Sequence, residues 1–358
     1  MSTERLLEAP FSLTRAEKVP ALLELLNGLT QRHGARCEAY GRILDAFCWR
    51  QEAADIESLP FIPVRLFKEF DLRSIPQEET LRILTSSGTT GQAVSRIVLD
   101  SVTAQLQAKA LVRIVNEFLG RTRRPMVIVD TKGIAKSGSS FGARAAAILG
   151  FSSFGREHLW LLDEQFKPDW DALQAYLEKH RGHGVLIFGF TFMIWQHLLL
   201  AARRDGVSLD FGAESYLVHG GGWKKLLELS VDDLTFRRRL SEELGVGAVS
   251  DYYGMVEQTG SIFMQCHEGV LHTPSFADVI VRDPQTLLPV SVGTSGVIQV
   301  LSALPLSYPG HSLLTEDIGV VHGEDDCPCG RRGRYLTIKG RLPKAEARGC
   351  SDISRSPA

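Results

Sequence analysis

The alternation of continuous apolar runs with amphipathic stretches predicts an α/β protein. Residues 12–50 read as two helices. Leu22, Leu23, Leu25, Leu26 and Leu29 crowd one side of the first, and Tyr40, Ile43, Leu44 and Phe47 recur at helical spacing in the second. Cys37 and Cys48 fall in this apolar pattern and are expected to be inert core residues. Leu59–Lys68 is an extended, proline-punctuated segment. Ser101–Leu119 predicts an amphipathic helix, with Leu106, Ala110, Ile114 and Phe118 on one face, and a short basic turn, Arg121–Arg124, follows it. Pro125–Asp130 predicts a buried strand ending in an acid, and the continuous apolar run Val185–Phe190 another, as in a sheet covered on both faces. Between them, Ser139–Gly150 and Trp170–His180 predict helices, and Phe151–Leu162 a loop and strand. This alternation, through residue 225, predicts a largely parallel sheet. From Asp278 the texture changes to short strands at 279–281, 296–300 and 318–321, which predicts a smaller antiparallel or barrel-like β-rich portion over about 278–341.

One stretch cannot serve a core. Between the strand-like runs Leu81–Leu84 and Ser95–Leu99, five hydroxyl residues and two glycines fall within the seven positions Thr85, Ser86, Ser87, Gly88, Thr89, Thr90 and Gly91. Hydroxyls and backbone N–H groups can wrap an anion there, and the glycines let the backbone approach closely. No lysine stands in the Walker position, so this is not a P-loop. The plainer alternative is a polar hairpin loop.

Composition narrows the setting. A chain of 358 residues with 44% hydrophobic and 23% charged residues can bury a large core, and its net charge of −2 gives no nucleic-acid footprint. No apolar run reaches the ~20 residues of a membrane span, and the N-terminus lacks the basic and apolar regions of a signal peptide. Six cysteines are too few for a secreted disulfide scaffold, so a cytoplasmic protein with free thiols is expected. Four potential ligands fall in two pairs: Cys266 with His272, and Cys327-Pro328-Cys329-Gly330 about 55 residues later. Together they would make a closed, structural Cys₃His zinc site. His267 competes as a ligand, although its adjacency to Cys266 would strain the chelate, and reduced, unligated thiols are the alternative. The last stretch, 331–358, holds eight Arg or Lys against two acids.

Three further stretches join the hydroxyl loop to give a resemblance. Asp251-Tyr252-Tyr253-Gly254-Met255-Val256-Glu257 matches a Y-G-x-x-E element, Tyr216–Lys224 is a strand running into the triple glycine Gly220, Gly221, Gly222, and Thr315-Glu316-Asp317 precedes Gly340-Arg341. In this order and spacing the chain resembles the adenylate-forming enzymes, which activate carboxylates with ATP. Within them, Phe61-Ile62-Pro63-Val64, His219-Gly220-Gly221-Gly222-Trp223-Lys224 and Arg348-Gly349-Cys350-Ser351 resemble the acyl-protein synthetases of the LuxE type over roughly residues 50–352. Phenylacetate-CoA-ligase-like relatives carry a similar C-P-C-G-R stretch, some with zinc.

The resemblance implies an adenylate-forming-enzyme N-terminal type fold over 1–341 and a short tail, 342–358, carrying Cys350. With 17 residues after Arg341, the family's mobile C-terminal domain is expected to be largely absent. It implies that Thr85–Gly91 bind the phosphates and that Glu257 holds Mg²⁺. Tyr253, Gly254 and the Gly220–Gly222 turn would flank the adenine, Asp317 would accept from the ribose hydroxyls, and Arg341 would lie near ribose or phosphate. Cys350 would take the acyl group before a partner does. Lys344 and Arg348, near it in sequence, would favour its thiolate. The expected reaction is ATP-dependent activation of a fatty acid to acyl-AMP, then transfer through Cys350 to a thiol of an acyl-CoA-reductase-like (LuxC-type) partner, in a homo- or hetero-oligomer. Two other readings stay open: a ligase delivering the adenylate to coenzyme A or an amine, and an inactive partner-binding subunit. Phe188, Phe190, Phe192, Met193 and Trp195 serve equally well as an acyl tunnel or as ordinary core.

Overall fold

The computed structural model describes residues 3–49, 51–86, 94–136, 140–223 and 228–342. The chain begins with helices α1 (Thr3–Glu8), α2 (Arg15–Arg36) and α3 (Glu38–Ala46), followed by β1 (Ile62–Pro63) and the single turn α4 (Leu66–Glu69). A hairpin, β2 (Arg82–Thr85) and β3 (Arg96–Leu99), leads into α5 (Ser101–Leu119). Asp100 starts that helix by accepting from the Thr103 N–H at 2.7 Å, and Gly120, at φ +76°, ends it.

The α/β series follows: β4 (Arg124–Thr131), β5 (Ser140–Gly142), α6 (Ala143–Ser152), β6 (Gly155–Leu162), α7 (Trp170–Lys179) and β7 (Leu186–Phe190). After β7 come α8 (Thr191–Met193), a π-helical stretch over Ile194–Leu199, and α9 (Leu200–Asp205), then β8 (Tyr216–Gly220), α10 (Asp233–Leu244) and β9 (Ala248–Tyr253). The last six strands are β10 (Phe263–Gln265), β11 (Leu271–His272), β12 (Ala277–Arg282), β13 (Ser295–Ser302), β14 (Ser312–Glu324) and β15 (Arg334–Arg341).

These strands make one large sheet in the order β12-β13-β14-β15-β11-β10-β9-β8-β7-β4-β6, with β1 added beside β14. The half from β9 to β6 is parallel, and its apolar runs are covered on both faces. The other half is antiparallel apart from β1, which runs parallel to β14. The expected β-rich portion therefore starts earlier than Asp278, at Phe263, and is no barrel: it continues the same sheet through the β9–β10 pair. A second sheet, β3-β2-β5, carries the hydroxyl-loop hairpin.

Helix α2 covers the antiparallel half. Leu22, Leu26 and Leu29 bury against Ala53, Ile56, Leu59, Ile280, Leu301 and Ala303, at roughly 1.5–3 kcal/mol for each fully buried leucine. Cys37 is buried as expected, whereas Cys48 is exposed and Phe47 is 75% exposed. Helix α3 ends at Ala46 and the chain turns through φ +52° at Cys48, so the apolar periodicity outruns the helix by two residues. The predicted helix from Ser139 begins at Ala143, because Ser140–Gly142 pairs with β2. Phe188, Phe190, Met193 and Trp195 are buried in the main core, with Phe192 packed against it. Among the described residues, no helix is long and apolar enough to cross a membrane.

Chain order against spatial order locates the site. From β4 the chain passes to β6 on one side and then to β7 on the other, and open α/β sheets bind ligands at the carboxyl ends of strands flanking such a reversal. The carboxyl ends of β7, β8 and β9 carry Thr191, Gly220–Gly222 and Tyr253-Gly254.

Candidate active site

The hydroxyl loop leaves a paired stem. Thr85 lies opposite Arg96, and one step further the Ser86 N–H donates to the Ser95 carbonyl at 3.2 Å while the Ser86 hydroxyl accepts from the Ser95 N–H at 2.9 Å. Ser87, Gly88, Thr89, Thr90 and Gly91 lie outside the described residues, as does Cys350.

Glu257 comes to this stem. It sits in the short helical turn Val256–Gln258 beyond β9 and is buried. Burial pushes its carboxyl above the ordinary 4.5. The nearby Ser95 hydroxyl, then the more distant Lys68 and Arg341, offset this only in part. The Ser95 hydroxyl is buried and makes no well-formed hydrogen bond among the described residues. An acid that is buried, under-compensated and set beside a loop rich in donors is a hard oxygen ligand suited to a magnesium ion.

Three other expected residues meet. The hydroxyl of the half-buried Tyr253 donates to Asp317 Oδ2 at 2.7 Å, and Arg341 Nε donates to Oδ1 at 3.2 Å. Asp317 and Arg341 face each other across β14 and β15. Strand β11 pairs with β15 only at Tyr335 and Leu336, so the Arg341 end runs on past it, and Tyr253 reaches across from β9. Burial, then the Asp317 charge, hold the Tyr253 phenol well above its ordinary pKa.

The glycine turn is shaped by close approach. A Cβ at Gly220 would stand 2.3 Å from the Tyr252 ring, and Gly221 has φ +74°, which only glycine adopts at little cost. Gly222 opens on free space. Gly254 is also constrained, since a Cβ there would meet Ile262 at 2.9 Å. Sequence reasoning missed two residues here. Ser95 was read as strand, and Thr191, at the end of β7, carried no motif, yet its hydroxyl lies 2.7 Å from the Gly221 carbonyl. His219 had appeared only as part of a signature.

The four predicted sulfur and nitrogen ligands also converge. Donor atoms of Cys266, His272, Cys327 and Cys329 all lie within 4.8 Å of one another. Tetrahedral zinc, with bonds of about 2.3 Å to sulfur and about 2.0 Å to nitrogen, needs donors roughly 3.5–3.8 Å apart, so this donor set fits. The cysteines are free, and His272 Nε2 is 3.3 Å from Cys329 Sγ. Burial, then Arg331, lower the imidazole to about 4, leaving it neutral. Burial also raises the Cys266 thiol and pushes Cys327 up to about 12. At Cys329 burial is outweighed by hydrogen bonds from the Arg331 backbone and its neighbours, and the thiol falls below its ordinary value. The His272 ring is held by packing against Phe11 and Tyr335, because Nδ1 has no hydrogen-bond partner among the described residues. These ligands link the β10–β11 hairpin to the β14–β15 loop. His267 is exposed, with Nε2 3.1 Å from Glu268.

The chain matches the family described as acyl-protein synthetase, LuxE, over residues 4–356. It is 25% identical to the long-chain-fatty-acid–luciferin-component ligase of Vibrio harveyi over 93% of this chain and 87% of that one. It is 23% identical to the protein of the same name from Aliivibrio fischeri, over 85% and 81%. Among solved structures, an open conformation of 2-hydroxyisobutyryl-CoA ligase with 2-HIB-AMP and CoA superposes with a TM-score of 0.72 at 18% identity. The match covers 92% of this chain and 76% of that one. The fold is accordingly that of the adenylate-forming ligases.

Proposed function

Since the chain belongs to the LuxE family of acyl-protein synthetases and is a ligase by that membership, we propose that it activates a fatty acid with ATP and passes the acyl group through Cys350 to a partner's thiol. The observation that carries this reading is the buried Glu257 beside the stem of the hydroxyl loop. The carboxylate oxygen of the acid attacks the α-phosphorus, the bond to pyrophosphate breaks, and acyl-AMP remains. Thr85–Gly91 hold the phosphates in place with their donors. Glu257 would hold a magnesium ion, which would supply neutralisation of phosphate charge. The Gly220–Gly222 turn, Tyr253 and Gly254 flank the adenine. Asp317, fixed by Tyr253 and Arg341, keeps lone pairs for the ribose hydroxyls.

The Cys350 thiolate then attacks the acyl carbon. AMP leaves, and the thioester passes by exchange to a thiol of a reductase-like partner. The fatty acid is supported by the names of the two bacterial relatives. Zinc at Cys266, His272, Cys327 and Cys329 is structural in this reading.

The test is ATP–pyrophosphate exchange with a panel of acids, followed by intact mass. Wild-type protein is expected to exchange label and gain one acyl mass, and Cys350→Ser to exchange label without gaining it. Exchange with no acid would refute activation. An acylated Cys350→Ser protein would refute the thioester.

A further inference from the structure

Behind the glycine turn lie a buried histidine and a half-buried aspartate to which the nucleotide reading gives no role. His219 and Asp251 are directly opposite each other on β8 and β9. His219 Nδ1 is 3.0 Å from the Thr191 hydroxyl and 3.6 Å from Asp251 Oδ1. The Thr191 hydroxyl also lies 2.7 Å from the Gly221 carbonyl and 3.3 Å from that of Gly220.

Proton counting fixes the direction of this chain. A carbonyl only accepts, so the single hydroxyl proton of Thr191 goes to Gly221, the nearer oxygen. Thr191 must then accept from His219, whose proton is on Nδ1. That leaves Nε2 bare, and it has no hydrogen-bond partner among the described residues. Burial agrees, lowering the imidazole to about 3, while burial and Asp233 raise the Asp251 carboxyl. The 3.6 Å approach to Asp251 is longer than a hydrogen bond, and Asp251 Oδ1 has no hydrogen-bond partner among the described residues, so the Thr191 hydroxyl at 3.0 Å is what orients the imidazole. The ring is wedged beside Phe236, at 4.6 Å between centroids, and Phe236 stacks on Trp195, which meets Trp223 edge-on. An aromatic backing thus holds the imidazole at one end while Thr191 reaches the turn at the other.

We propose that His219 and Thr191 are positioning residues for the nucleotide: His219 orients the Thr191 hydroxyl, which locks the Gly221 carbonyl and with it the face that the glycine turn presents to the base. This rests on the reading that adenine lies against that turn. Neither residue touches the nucleotide in this arrangement. The device also accounts for the histidine immediately before the three glycines, where a residue serving only as core could as well be apolar.

The experiment measures kcat and separate KM values for ATP and acid by pyrophosphate exchange. Its variants are Thr191→Val, Thr191→Ser, His219→Asn and His219→Gln. Asparagine places its amide N–H where Nδ1 was, whereas glutamine places it near Nε2. Thr191→Val and His219→Gln are expected to raise the KM for ATP about tenfold, the net worth of one hydrogen bond. The KM for acid and the melting temperature should change little. Thr191→Ser and His219→Asn should return to within twofold of wild type. Unchanged KM for ATP in Thr191→Val, or glutamine rescuing where asparagine does not, overturns the proposal. A wild-type protein that neither binds ATP nor exchanges pyrophosphate sinks the nucleotide reading itself, an outcome distinct from active variants that match wild type.

Discussion

Glu257→Gln should make the nucleotide-free protein more stable and the enzyme inactive. The carboxyl is 6% exposed, and burial wins over the Ser95, Lys68 and Arg341 contributions, so its pKa stands above 4.5 in the folded state. A carboxyl shifted in this direction is protonated in both folded and unfolded chains at low pH and costs nothing there. The cost grows as pH rises from 4.5, where the unfolded chain ionises, and is complete once pH passes the raised folded value. At neutral pH the charged form is a group buried without full compensation, which costs on the order of 1–3 kcal/mol.

Unfolding entropy of about 2.1 cal/mol/K per residue over 358 residues amounts to roughly 0.75 kcal/mol/K. Each kcal/mol is then worth about 1.3 °C, and glutamine should raise the melting temperature by about 1.5–4 °C at pH 7.5. The gain should shrink towards zero as pH approaches 4.5. Thermal unfolding across pH without nucleotide reads this, and pyrophosphate exchange with ATP and magnesium reads function, which should fall at least a hundredfold (~2.7 kcal/mol). A variant that melts lower at neutral pH, or that still exchanges label, would refute the argument: Glu257 would then be an ordinary structural acid.

Two further outcomes follow from the same geometry. Elemental analysis should find one zinc per chain, and His272→Ala or Cys327→Ser should lose it and melt at least ~4 kcal/mol less stably; metal-free wild type with an unchanged melting point would exclude a structural ion. Tyr253→Phe removes a hydrogen bond to a carboxylate, worth about 1.5–3 kcal/mol, so the KM for ATP should rise about ten- to a hundredfold. Adding Asp317→Asn should cost less than the two single changes combined, and strict additivity in that double-mutant cycle would deny the coupling.

Much of this was legible in the chain. The apolar runs at 125–129 and 185–190 became central strands, because strands buried on both faces leave no alternation to misread. The four Cys and His residues that converge could be read from two short spacings, since a chelate geometry is local whatever lies between the pairs. What stayed hidden depends on partners remote in sequence. Nothing local to Thr315-Glu316-Asp317 tells that Tyr253 will bond it, because that contact needs β15 to run past β11. Thr191 ends a strand like many threonines, and only the fold sets it under Gly221. The strands after 263 could have closed into a barrel; short strands with turns do not reveal which edges they join. Phe47 and Cys48 misled because periodicity carries no signal for where a helix stops.

Strand β9 is where these pieces depend on one another. It is parallel to β8 and antiparallel to β10, so it is the seam between the two halves of the sheet. Its side chains alternate in direction. Tyr252 lies over Gly220 and stacks with Phe188 in the core, while Asp251 meets His219 and Tyr253 reaches Asp317. The chain leaving it delivers Glu257 to the stem of the hydroxyl loop. A slip of one residue would turn Tyr252 away from Gly220, put Tyr253 into the core and shift Glu257 along the turn. In the observed register the edge of the Tyr252 ring occupies the space that a Cβ at Gly220 would take. The glycine next to His219 therefore permits this register, and the same register brings Tyr253 to Asp317 and Glu257 to Ser95.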